Sequence, residues 1–73
     1  MEGIQAEAKR ARRILREAEV KHKTGLSRAT RWRWAQAGLF PQKVRLGPNS
    51  AGNFEDEVDD WLQARAAERE AVA

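Results

Sequence analysis

The chain has 73 residues, 34% of them charged and 41% in the hydrophobic class, which bounds it to one small domain with a modest core. It has no cysteine, so a disulfide framework and a cysteine metal site are excluded, and no apolar run nears the ~20 residues a membrane helix needs. The net charge of +3 conceals a split, because residues 1–49 balance to +8 and residues 50–73 to −5, and such a field turns the basic end toward a polyanion.

Residues 1–13 are rich in Ala, Lys, Arg and Glu and read as a frayed helix or flexible basic arm. The cluster Lys9, Arg10, Arg12 and Arg13 either lies along phosphates or is a solvated tail. Ile14-Leu15 is a short extended lead-in, and the first helix is expected over Arg16–Lys23, anchored by Leu15, Ala18 and Val20. Gly25 ends it with a positive φ. Gly25-Leu26-Ser27 is then a tight turn, and the Ser27 hydroxyl caps the next helix, expected over Arg28–Ala37 with Gly38 as its stop. Arg28, Arg31 and Arg33 fall in the first two turns with no acid among them, which favours contact with a polyanion. The pair of helices reads as helix-turn-helix with the second helix shaped for a DNA groove. Trp34 is expected to face the core and Trp32 to be partly exposed.

From Leu39 to Phe54 the residues Phe40, Val44 and Leu46 alternate with Gln42, Lys43 and Arg45, the pattern of a half-buried strand. Residues 47–52 are dense in turn formers and read as a loop or hairpin tip, with Asn53-Phe54 beginning a return strand. This element is a wing. The last helix is expected from Glu55 to about Glu70, with acids Glu55, Asp56 and Glu57 at its positive end and Val58, Trp61, Leu62 and Arg65 on a packed face. Residues 71–73 form a frayed tail.

The candidate DNA-binding residues are Ser27, Arg28, Thr30, Arg31, Trp32, Arg33, Lys43, Arg45, Asn49 and Ser50. Arginine reads guanine O6 and N7 through two parallel hydrogen bonds, although the three helix arginines diverge and at least one is left for phosphate. Ser27 is foremost a cap, and Thr30 completes the cap or touches a phosphate. Trp32 packs on the wing, stacks on sugar, or covers Arg28. Lys43, Arg45, Asn49 and Ser50 follow the backbone or enter the minor groove. Lys21 and Lys23 reach phosphate from the first helix. His22 is alone, and Asp56, Glu57, Asp59 and Asp60 lack calcium-loop spacing, so no metal, cofactor or catalytic group is expected.

From Ile14 to about Leu62 the chain resembles the AlpA family of phage and prophage regulators, within the MerR-like winged-helix and excisionase group. The resemblance rests on an ordered set: Leu15-Arg16, Glu19-Val20, Thr24-Gly25-Leu26-Ser27-Arg28, Thr30, Arg33, Gly38, Phe40-Pro41, Val44, Leu46-Gly47-Pro48, Gly52, Glu57-Val58 and Trp61-Leu62. It implies a mainly α fold with a small β-hairpin, a winged helix-turn-helix, over residues 14–70. It also implies a protein that binds double-stranded DNA as a transcriptional regulator, an excisionase, or both. From the residues themselves no enzyme is expected, since paired carboxylates, a nucleophile with a base and a glycine-rich phosphate loop are lacking, and the expected place is the cytoplasm, associated with the nucleoid, since there is no cysteine and no signal-peptide stretch. Expected partners are an integrase or RNA polymerase, and further copies in cooperative self-association on DNA; no membrane is expected. Two departures stand out. Arg31 replaces a usual aliphatic and either snorkels from the core edge or adds a DNA contact. Asn53 follows the wing glycine where an aromatic is frequent, and Phe54 is expected to take over its packing. The alternative is a protein-interaction module that docks an integrase or polymerase subunit through the Val58, Trp61 and Leu62 face.

Overall fold

A computed structural model describes residues 12–72. The elements run β1 (Ile14–Leu15), α1 (Glu17–Thr24), α2 (Arg28–Gln36), β2 (Val44–Gly47), β3 (Ser50–Phe54) and α3 (Glu55–Val72). The lead-in is a true strand. It pairs antiparallel with β3 through Ile14↔Phe54 and Leu15↔Asn53, so the hairpin is part of a three-stranded antiparallel sheet ordered β1-β3-β2. The fold is thus three helices with a small sheet. No helix among the described residues is long and apolar enough to cross a membrane.

Local chemistry fixes the helix ends. In α1, the Glu19 carboxylate accepts the Arg16 N–H at 3.1 Å, and acids in the first turn face bases in the last, complementing the helix dipole. The helix stops at Gly25, at φ 74°, whose N–H donates to Lys21 O at 2.7 Å. Ser27 Oγ accepts the Thr30 N–H at 3.2 Å and so opens α2 as expected. The other end of α2 closes as a Schellman motif: Leu39 N–H donates to Trp34 O at 2.7 Å and Gly38 N–H to Ala35 O at 3.1 Å. That closure requires Gly38 to sit at φ 78°.

The hairpin departs from expectation in two ways. Its turn uses only Pro48 and Asn49, because proline presets the first corner and asparagine tolerates the second at φ 59°. Ser50, Ala51 and Gly52 therefore belong to β3 and not to a loop. Between Arg45↔Ala51 and Gly47↔Ser50 the register slips by one residue, making Leu46 a bulge. The slip breaks the alternation and leaves Leu46 46% exposed instead of inward.

Leu15, Val20, Phe40 and Val58 form the buried centre, with Leu26, Trp34, Ala35, Trp61 and Leu62 packed around it. Trp61 meets Phe40 edge-on at 4.9 Å, lies 6.3 Å from Trp34, and donates its indole N–H to Leu39 O at 2.7 Å. The Val58, Trp61 and Leu62 face is thereby committed to the core and is not a free docking surface. Asn53, not Phe54, takes the inward position after the glycine; its amide donates to Pro41 O at 3.2 Å and Gln42 O at 3.4 Å, tying down the α2–β2 connection. Phe54 lies instead under the Arg12 guanidinium, 3.7 Å from the ring centre.

The start of α3 gathers cations. Arg12 binds Asp56 through two hydrogen bonds of 2.9 and 3.1 Å, Arg13 bridges Glu55 and Glu19, and Lys23 joins Glu55 at 3.0 Å and Asp59 at 2.7 Å. These three basic groups serve the fold: Arg12 and Arg13 are neither a phosphate-lining arm nor a solvated tail, and Lys23 is held by acids of α3 and not left to reach phosphate. Lys9 and Arg10 fall outside the described residues, as does Ala73. The helix α3 runs to Val72, two residues past its expected end.

Candidate nucleic-acid interface

The N-terminal ends of α1 and α2 and the hairpin converge on an open cleft of about 620 Å³. Arg16 enters it from the link between β1 and α1, Arg28 from the first position of α2, Lys43 from the segment before β2, and Arg45 from β2. Asn49 and Ser50 border it from the hairpin tip. All four cations are exposed, and none forms an ion pair among the described residues. Concentrating four unpaired positive charges in one concavity costs self-repulsion, which a bound polyanion relieves.

One acid, Glu17, sits in the same cleft. Its carboxyl is held below the ordinary value chiefly by a hydrogen bond from Arg31, against opposing burial, with the charges of Arg31, Lys43 and Arg28 adding to the effect. Arg31 is itself only 3% exposed, and its Nε donates to Leu26 O at 3.0 Å. Its guanidinium is thus an internal clamp between α1, α2 and their connecting turn, not a surface group. This corrects its place among the DNA-contacting candidates: at the fourth position of α2 the side chain points inward, where Glu17 and a backbone carbonyl satisfy it.

The outward face of α2 carries Arg28, Trp32 and Arg33, with Trp32 60% exposed and Trp34 turned to the core as expected. Thr30 Oγ1 accepts from Ser27 Oγ at 3.0 Å and from Arg33 Nη2 at 3.3 Å, so Ser27 and Thr30 brace the opening of the helix. Trp32 and Lys43 border a second cleft of about 180 Å³ together with Gln36 and Pro41. Lys43 lines both clefts and joins the α2 face to the hairpin face. Of the ten sequence candidates, Arg28, Trp32, Lys43, Arg45, Asn49 and Ser50 line these two clefts, and Arg31 backs the second from its buried position. Ser27, Thr30 and Arg33 line neither cleft and stand together at the opening of α2.

Arg16 is the addition that sequence reasoning missed. The sequence pattern predicts it as the first residue of a helix, whereas its φ of −92° and ψ of 175° are extended and aim it out of the helix line. The signal was a basic residue immediately ahead of two acids that open a helix. Among the described residues no group of three His, Cys, Asp or Glu is placed to hold a metal ion.

The chain is 42% identical over 59 residues to the "DNA-binding transcriptional activator AlpA" of Escherichia coli (strain K12), covering 73% of this chain and 84% of that protein. It is 40% identical over 57 residues to the "Uncharacterized protein ORF88" of Enterobacteria phage P4, covering 78% of this chain and 65% of the relative. No solved structure matches. The family model described as "Prophage CP4-57 regulatory protein (AlpA)" matches residues 13–66, and the chain belongs to that family of prophage regulatory proteins, which are regulators and not enzymes.

Proposed function

We propose that this chain is a sequence-specific double-stranded DNA-binding transcriptional regulator, and that residues 14–70 form a winged helix-turn-helix. In this reading α2 enters a major groove and the β2–β3 hairpin, the wing, lies on the flanking backbone or minor groove. The observation that carries it is the four unpaired cations, Arg16, Arg28, Lys43 and Arg45, brought to one cleft by three different elements. Arg12, Arg13 and Lys23, by contrast, are neutralised by the acids of α1 and α3. A name given to a relative 42% identical, a DNA-binding transcriptional activator, supports the same reading.

Of the two roles the family resemblance implies, regulation of transcription is the one proposed. The excisionase role, and docking on integrase or polymerase, have no support from this chain's own residues. A salt titration of binding to duplex DNA tests the proposal. With four phosphates neutralised, the affinity is expected to fall with a log–log slope of about −3.6. Affinity that is indifferent to salt between 50 and 200 mM, on the order of physiological ionic strength, would sink it.

A further inference from the structure

On α2, Arg28, Ala29, Trp32, Arg33 and Gln36 are all exposed, and their spacing places them on one outward stripe. Trp32 is the anomaly on that stripe. The other two tryptophans are packed against each other, and Trp61 also against Phe40. Among the described residues Trp32 has no ring partner, and the two cation–π contacts belong to Phe54 and Trp61. A small domain gains most of its stability from apolar burial, so an indole left 60% exposed forgoes a large contribution.

Ala29 lies one turn before Trp32 on the same side of the helix. A methyl group and a broad indole thus make an apolar strip, bordered by Arg28 and Arg33 with no acid in α2 to repel a polyanion. Phosphate is met by charged and polar groups and does not call for such a strip, and a sugar stacked on it would identify no base, so a sequence-reading use of the strip falls to base edges. In the major groove the apolar group that base edges expose is the C5-methyl of thymine, and the minor groove offers no equivalent. The geometry points to Trp32, with Ala29 beside it, as the surface that recognises a thymine methyl, a specificity determinant set between two arginines able to hydrogen-bond neighbouring bases. This rests on the reading that α2 enters the major groove.

The test begins with a duplex selected by the full chain from a random pool. That duplex is remade with deoxyuridine in place of each thymidine in turn, which removes one methyl and nothing else. At one or two positions the substitution is expected to weaken binding about fourfold, the worth of one buried methyl group. Trp32→Ala is expected to bind the thymidine duplex more weakly by at least that factor and to show no further loss with deoxyuridine. Its thermal melt, unchanged because the side chain is exposed, separates this from unfolding. An enriched site without thymidine, equal binding of thymidine and deoxyuridine duplexes, or a Trp32→Ala variant that keeps the deoxyuridine penalty overturns the proposal. Duplex binding with no enriched sequence also overturns it while leaving DNA binding intact. Failure to bind any duplex overturns the underlying reading as well.

Discussion

Arg31 shows how a single side chain can belong to either of two accounts until its surroundings are known. Sequence places a cation in a cationic helix; the structure places its head against Glu17 and the Leu26 carbonyl. Replacement by Met keeps the volume but leaves the carbonyl without its donor, while half-exposed Glu17 rehydrates. Arg31→Met is therefore expected to lower stability by about 1–3 kcal/mol in urea unfolding, less than a fully buried broken pair. The pair also sets a pH dependence. Because the Glu17 carboxyl is depressed in the folded state, its contribution is present above its ordinary value of 4.5 and is lost as pH falls through the lower folded value. The melting temperatures of wild type and Glu17→Gln are expected to differ at neutral pH and to converge only once the pH has fallen through the depressed folded value. The cap at Ser27 and the opposed directions of Trp32 and Trp34 were legible, since both follow from spacing along one helix. The inward turns of Arg31 and Asn53 were not. Polar residues enter a core only when specific partners meet them, and those partners come from other elements.

At the scale of elements, the three helices were legible from caps, acids in first turns and apolar spacing, with ends displaced by one or two residues. The sheet was legible only in part. A two-residue β1 has no periodicity to read, and the Leu46 bulge cancels the alternation that marked β2. Gly52 explains why the strands come together as they do. A Cβ at that position would stand 2.5 Å from Ile14 Cγ2 and 2.6 Å from the Leu15 carbonyl oxygen, so β3 tolerates only a hydrogen there. The carbonyl is backbone and cannot swing aside. Gly52→Ala is expected to cost about 1–3 kcal/mol, read as a lower thermal midpoint, with β1 detaching from the sheet. A midpoint equal to that of the wild type would show that β1 contributes nothing to the fold.

For the whole molecule, the charge split between the two halves was visible in the sequence and survives folding as two faces. What could not be read was the sorting of individual cations, because arginines only three residues apart in sequence, Arg13 and Arg16, serve opposite ends. Arg12, Arg13 and Lys23 bind the acids that open α3, while Arg16, Arg28, Lys43 and Arg45 stand open. The sorting predicts different responses to substitution. Arg28→Ala and Arg45→Ala are each expected to reduce the log–log salt slope of duplex binding by about 0.9 without altering the melt. Arg12→Ala is expected to leave that slope unchanged and to lower the melting temperature. Loss of slope in Arg12→Ala, or none in Arg28→Ala and Arg45→Ala, would reverse the assignment of the two faces.

The disposition of the three indoles gives the protein its own optical readout. Trp34 and Trp61 are coupled neighbours 6.3 Å apart inside the fold, and Trp32 looks outward among arginines. Iodide, drawn to those guanidinium groups, is expected to quench the red-shifted share of the emission and to spare the rest. A nucleic acid seated on α2 would shield that same share, so complex formation and unfolding are separable by colour in a single unlabelled sample.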